Sequence, residues 1–100
     1  MEKFNIRIYK SAENDLEDIV EYINTLSPAA AIKQYDNLIN KIGTLVEIPE
    51  RCPFLKDASL RLKGYRVLIV DNYLVFFVIK NDMVQVRRIL YNKRNYGWLL

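Results

Sequence analysis

Arg61, Lys63 and Arg66 fall close together in this sequence, and Arg87, Arg88, Lys93 and Arg94 crowd its end, with Tyr65, Tyr91 and Tyr96 set between them. Arginine forks grip phosphate or carboxylate through paired hydrogen bonds, and aromatic rings stack on unpaired bases, so such a cluster has the means to hold single-stranded RNA. It also has some of the means to cut it. Scission needs a deprotonated 2′-hydroxyl, a neutralised pentavalent phosphate and a protonated leaving oxygen; arginine serves the second need, and lysine or tyrosine of lowered pKa the other two. The chain has no histidine. Positioning would therefore carry most of the catalysis, since general acid–base help gives ~10²–10⁴-fold whereas orientation of reactants contributes roughly 7–11 kcal/mol.

The same composition narrows the alternatives. Without histidine there is no zinc constellation of the usual kind and no Ser-His-Asp or Cys-His pair, and a single cysteine, Cys52, excludes an internal disulfide framework and reads as a structural residue. No metal or cofactor is implied. The apolar runs fall well short of the ~20 residues that span a bilayer, and no signal-peptide core is visible, so the expectation is a cytoplasmic protein with no membrane partner. One hundred residues, 51% of them hydrophobic, suit a single domain over residues 1–100. Charge is unevenly spread. Residues 1–50 hold five Lys/Arg against nine Asp/Glu, a net of −4, and residues 51–100 hold ten against three, a net of +7. The second half thus invites an acidic partner, either nucleic acid or an acidic protein segment, unless its charges are simply a solvated face.

Hydrophobic periodicity supplies the elements that must position these residues. "FNIRIYK" alternates as a strand, with Phe4, Ile6 and Ile8 on one face and Asn5, Arg7 and Tyr9 on the other. Ser11 sits where a helix cap would, and Ala12, Leu16, Ile19, Val20, Ile23 and Leu26 then form one apolar stripe. Ser27-Pro28 closes that helix and opens another, whose stripe runs from Ile32 to Val46 before Pro49 stops it. With almost no loop between them, the two helices form an antiparallel hairpin. "LRLKGYRVLIV", "YLVFFVIK" and "MVQVRRILY" read as a three-stranded antiparallel meander, turned at Asp71-Asn72 and Asn81-Asp82. The middle strand is apolar at nearly every position and needs cover on both faces; the helical hairpin supplies one, and a partner or a concave binding surface would account for the other.

In that arrangement Arg61, Lys63 and Tyr65 share a strand face, and a bulge at Gly64 would bring Arg66 beside Lys63. Arg87 and Tyr91 share a face of the last strand, opposite Val84, Val86, Arg88 and Leu90. The plainer reading makes Arg61 and Lys63 edge-strand charges that discourage aggregation. It also makes Tyr9, Tyr22, Tyr35 and Tyr73 packing residues, and the final Trp98-Leu99-Leu100 a tail docked on the core.

Four stretches, "AENDLEDIVEYI", "SPAAAIKQYDNLINKIGTLVEIP", "LKGYRVLIVDNYLVFFVI" and "VQVRRILYNKRNYGWLL", resemble in order and spacing the RelE/ParE superfamily of bacterial toxin–antitoxin toxins. The resemblance covers almost the whole chain. It implies an α+β fold: an N-terminal strand, an antiparallel helical hairpin, a three-stranded antiparallel meander completing a small sheet, and a short C-terminal tail. It also implies a cognate antitoxin as partner. Within the superfamily, RelE-like members cut mRNA in the ribosomal A site, and ParE-like members poison DNA gyrase without being nucleases. The first reading, ribosome-dependent mRNA cleavage, is the leading expectation and the second its alternative: on the first, ribosome and mRNA are partners, Arg66, Arg94, Tyr91 and Tyr96 are the catalytic candidates, and Arg61, Lys63, Arg87 and Lys93 bind substrate. On the second, the target is gyrase and the basic end is a protein-binding surface. The long helical hairpin and the "RIL" strand followed by a basic segment are closer to ParE-like members.

Overall fold

The computed structural model describes residues 3–92, 96, 97, 99 and 100. Its elements are β1 (Asn5–Ile8), α1 (Lys10–Leu26), α2 (Pro28–Gly43), α3 (Ala58–Leu62), β2 (Arg66–Val70), β3 (Tyr73–Lys80) and β4 (Met83–Tyr91), with 3-10 turns at Thr44–Val46 and Pro49–Arg51 between α2 and α3. The α+β architecture follows the sequence reading. Ser27 accepts a hydrogen bond from the Ala30 amide and Pro28 fills the first helical position, so one short joint ends α1 and starts α2. Tyr9, not Ser11, is the residue before the first turn of α1; the Ser11 hydroxyl instead donates to the Arg87 carbonyl on β4. The apolar stripe of α2 ends at Gly43, where the chain tightens into the Thr44–Val46 turn.

The strands lie in the order β1-β4-β3-β2. β2, β3 and β4 pair antiparallel, and β1 joins β4 in parallel with Arg7 opposite Gln85 and Ile8 opposite Val86. Both meander turns are two residues long, and Asp71 and Asn81 take the positive φ that such tight connections require, at 55° and 57°.

Two apolar clusters sandwich the sheet. On the helix side, Val75 and Phe77 of β3 and Val84, Val86 and Ile89 of β4 pack against Ala12, Leu16, Leu38, Ile42 and Leu45. On the outer side, Phe76, Val78 and Leu90 pack against Leu55, Leu60 and Tyr65, with Leu99 and Leu100 of the tail closing over them. β3 is therefore buried on both faces, as its continuous apolar run requires. The chain covers its own second face, with the 55–65 segment and the docked tail residues.

Two local features correct the sequence reading. Residues 58–62 are helical, not strand: Asp57 caps α3 by accepting from the Leu60 amide, and Gly64 ends it at φ +85°. The Gly64 amide donates to Arg61 and the Tyr65 amide to Leu60, the paired bonds of a glycine-terminated helix end. The bulge lies elsewhere. Phe76 pairs with Arg88 but Phe77 with Val86, leaving Arg87 as an extra residue in β4. That insertion reverses the alternation half-way along the strand, so Val84 and Val86 share the helix side with Ile89 and Tyr91, while Gln85 shares the outer side with Arg88 and Leu90.

β4 outruns β1, and its free edge is closed by α1. The Ser11 hydroxyl meets the Arg87 carbonyl at 2.8 Å, and the Asp15 carboxylate accepts the Ile89 amide at 3.0 Å. Arg88 reaches round this edge to grip the same carboxylate, through Nε at 2.7 Å and Nη2 at 2.8 Å. Among the described residues no helix is long and apolar enough to cross a membrane.

Candidate functional site

The bulge at Arg87 brings two arginines and two tyrosine rings together. The Arg87 guanidinium lies 4.8 Å from the centre of the Tyr9 ring and 5.9 Å from that of Tyr65, and its Nη2 donates to the Gln85 side chain at 2.7 Å. Arg7 comes from the neighbouring strand, because parallel pairing sets it opposite Gln85, and lies 5.4 Å from the same Tyr9 ring. Tyr65 is 5% exposed and donates its hydroxyl hydrogen to the main-chain oxygen of Leu100 at 3.3 Å. Each ring face attracts its cation, yet two guanidinium groups over one ring repel each other. The Arg87 Nε–H is buried with no acceptor among the described residues. A carboxylate or phosphate between Arg7 and Arg87 would relieve the repulsion through charge-assisted bonds.

The other predicted residues do not join this group. Arg61 and Lys63 sit exposed on α3 and at its end, because residues 58–62 coil instead of extending. Arg66 opens β2 on the helix side, opposite Phe77. Its Nη1 donates to the carbonyls of Glu50 at 3.0 Å and Cys52 at 2.7 Å, and its guanidinium lies 3.8 Å from the centre of the Phe54 ring. It thus fastens the 50–54 segment to β2. Arg87 and Tyr91 do not look out together, since the bulge separates their faces: Tyr91 meets Tyr73 edge-to-face at 5.8 Å on the helix side. Tyr96 lies against Phe76 on the outer side, ring centres 4.7 Å apart. Lys93, Arg94 and Trp98 lie outside the described residues.

Arg66 and Tyr91 both face the helix side, but opposite Phe77 and Tyr73 and on strands either side of β3. At ordinary strand spacings this separates their α-carbons by roughly 16 Å. Each side chain is engaged elsewhere, Arg66 on the Glu50 and Cys52 carbonyls and Tyr91 on the Tyr73 ring. Among the described residues, no group of Cys, Asp and Glu could hold a metal ion. Burial pushes the Cys52 thiol above its usual pKa, a change Arg51 and Arg66 only partly oppose, so the thiol is a poor nucleophile.

Arg7, Tyr9 and Gln85 were not among the residues nominated from sequence, and Tyr65 entered only beside Arg61 and Lys63. Arg7 and Tyr9 share a face by simple alternation. The missing information was the parallel register of β1 on β4 and the extra residue in β4.

Residues 6–96 match the family described as the ParE toxin of type II toxin–antitoxin system, parDE. The chain belongs to the ParE toxin family. It is a toxin of the type II toxin–antitoxin class, within the RelE/ParE superfamily that the sequence resembled. No curated protein matches it in sequence. The ParE-family fold recurs in a structure described as the chromosomal ParDE TA system from P. aeruginosa, at a TM-score of 0.76 and 18% identity over 89% of this chain and 96% of that one. A second similar structure is the toxin–antitoxin complex RelBE2 from Mycobacterium tuberculosis, at a TM-score of 0.60 and 19% identity over 91% of this chain and 93% of that one. At such identities the likeness concerns the fold.

Proposed function

We propose that this ParE-family toxin acts by binding a protein target, DNA gyrase, and not by cutting RNA, and that an antitoxin restrains it. The observation that carries this reading is the dispersal of the residues scission would use. Arg66 is committed to two main-chain carbonyls at the start of β2, Tyr91 packs on Tyr73 at the far end of the helix side, and Tyr96 packs on Phe76 across the sheet. Efficient scission needs the phosphate-neutralising group and the proton-transfer groups within hydrogen-bond reach of one substrate. Membership of the ParE family supports the same choice.

Arg7 and Arg87 take the role of a protein-binding pair in this reading. They receive an acidic side chain, and an antitoxin segment laid across the outer face near β1 would supply it.

The test is direct. Purified toxin added to gyrase, ATP and plasmid should accumulate enzyme-linked cleaved DNA that appears as linear plasmid after proteolysis. Unaltered gyrase activity together with ribosome-dependent breaks in mRNA, mapped by primer extension, would overturn the proposal in favour of the RelE-like mechanism. That rival draws on one observation of its own: the Arg7–Arg87 pair with its two tyrosines would also accept a phosphate.

A further inference from the structure

On the helix side of the sheet, the face opposite the Arg7–Arg87 pair, α1 and the ends of β3 and β4 border a cleft of about 450 Å³. Asp15, Asp18, Ile19 and Tyr22 of α1 line it on one side, and Tyr73, Ile89, Leu90 and Tyr91 of the two strands on the other. The Tyr73 and Tyr91 rings meet at 62°, so the edge of one addresses the face of the other and the pair makes a corner. Tyr22 is 67% and Tyr91 42% exposed, a large aromatic surface with no cover from the described chain. Burial, and then the neighbouring Tyr91 and Tyr22 hydroxyls, push the Tyr73 phenol above its ordinary pKa, which keeps that ring neutral.

The two carboxylates have different duties. Asp15 is consumed by Arg88 and the Ile89 amide. Asp18, one turn further along α1, is exposed and makes no ion pair among the described residues. The cleft therefore presents three tyrosine rings and one carboxylate that is unpaired among the described residues. An anion is repelled by both. A hard metal ion would find one carboxylate where it prefers about six oxygen ligands. A cation with an apolar stem fits: the charge faces rings and carboxylate, and the stem replaces water on Ile19.

We infer that the Tyr22–Tyr73–Tyr91 corner with Asp18 is a receptor for a lysine or arginine side chain of a partner protein. Charge complementarity selects the occupant, and the cleft is large enough for one long side chain. The toxin would then hold acidic groups on the outer face and a basic one on the helix face, fixing a partner in two places. The inference does not depend on whether gyrase or mRNA is the target.

The probe is a tripeptide, acetyl-Gly-Arg-Gly-amide, against its isosteric citrulline counterpart, which keeps the shape and loses the charge. Titrations followed by the ring signals of the folded chain should give saturable shifts at Tyr22, Tyr73 and Tyr91, and binding weaker by at least about tenfold for the citrulline peptide. Asp18→Asn and Tyr22→Ala alter exposed side chains and should keep the fold while each weakens the arginine peptide by about fivefold or more. Equal binding of the two peptides would overturn the inference. So would ring shifts that survive both substitutions in chains whose amide spectra remain native, or the absence of any saturable shift.

Discussion

Asp15 and Arg88 lie 73 positions apart and close a two-point ion pair across the free edge of β4. Their side chains are only 10% and 19% exposed. The same carboxylate takes the Ile89 amide, and Arg88 also donates to the Leu99 carbonyl at 3.4 Å, so one charge pair joins α1, the sheet edge and the tail. Hydrogen bonding to Asp15 holds the Arg88 guanidinium above the ordinary arginine pKa.

Replacing Asp15 by Asn keeps the shape but strands a guanidinium in a largely buried place. The expected loss is about 3 kcal/mol, close to what breaking a buried pair costs. Urea unfolding of Asp15→Asn should show it as a lower midpoint with an unchanged slope. Asp15→Asn combined with Arg88→Met should be more stable than Asp15→Asn alone, because the stranded charge is gone.

Arg87 offers a contrast between substitution and deletion. Its φ is not positive, so alanine can occupy the bulge, and Arg87→Ala removes two ring contacts at a cost of about 1 kcal/mol or less. Deleting Arg87 restores simple alternation and keeps Arg88 and Leu90 on the outer face and Ile89 on the helix side, but it removes the bend of the bulge and the carbonyl that accepts from Ser11. That variant should lose about 1–2 kcal/mol more than Arg87→Ala and still show a cooperative thermal transition.

Gly64 is set by backbone geometry. A Cβ there would meet Val78 Cγ1 at 3.5 Å, an ordinary contact, but φ is +85°. Gly64→Ala should cost about 1 kcal/mol, and Gly64→Asn less, since asparagine tolerates the left-handed region better. Comparing the chemical denaturation midpoints of the two variants separates this cause from crowding, which would penalise the larger Asn more.

Cys52 is 5% exposed and its thiol is pushed upward by burial. Iodoacetamide at pH 8 should therefore modify the folded chain far more slowly than the urea-unfolded one, whose thiol titrates near 8.5. Equal rates in the two states would mean that the segment around Cys52 opens readily.

Much of the fold could be read from periodicity. Ala12, Leu16, Leu38 and Ile42 are buried at helical spacing, and the apolar run of β3 announced a strand covered twice. The stripes were less reliable at their ends. Leu26 and Ile32, near the turn of the helical hairpin, are 71% and 65% exposed, and Tyr22 and Tyr35, read as packing residues, are exposed too. α3 escaped because Leu60 and Leu62 imitate strand alternation. Its signals were nevertheless present, Asp57 as a cap and Gly64 as a stop.

The candidate site was less legible for two physical reasons. A bulge without glycine leaves no mark in composition, so the phase of β4 beyond Val86 was open to misreading. Long-range pairing decides which face a charge shares, and no local pattern announces that Arg7 will sit opposite Gln85. Arg66 illustrates a third. Its proximity in sequence to Gly64 and Lys63 suggested a common surface, but its partners are carbonyls contributed by Glu50 and Cys52.

The extra residue in β4 also governs how relatives of this chain should be matched to it. A homologue whose last strand runs without a bulge corresponds residue for residue up to Val86 and again from Arg88, with a gap opposite Arg87. Aligned without that gap, its inward residues would be equated with outward ones for the whole second half of the strand, and an arginine that grips a helix carboxylate would be mistaken for one that faces a partner.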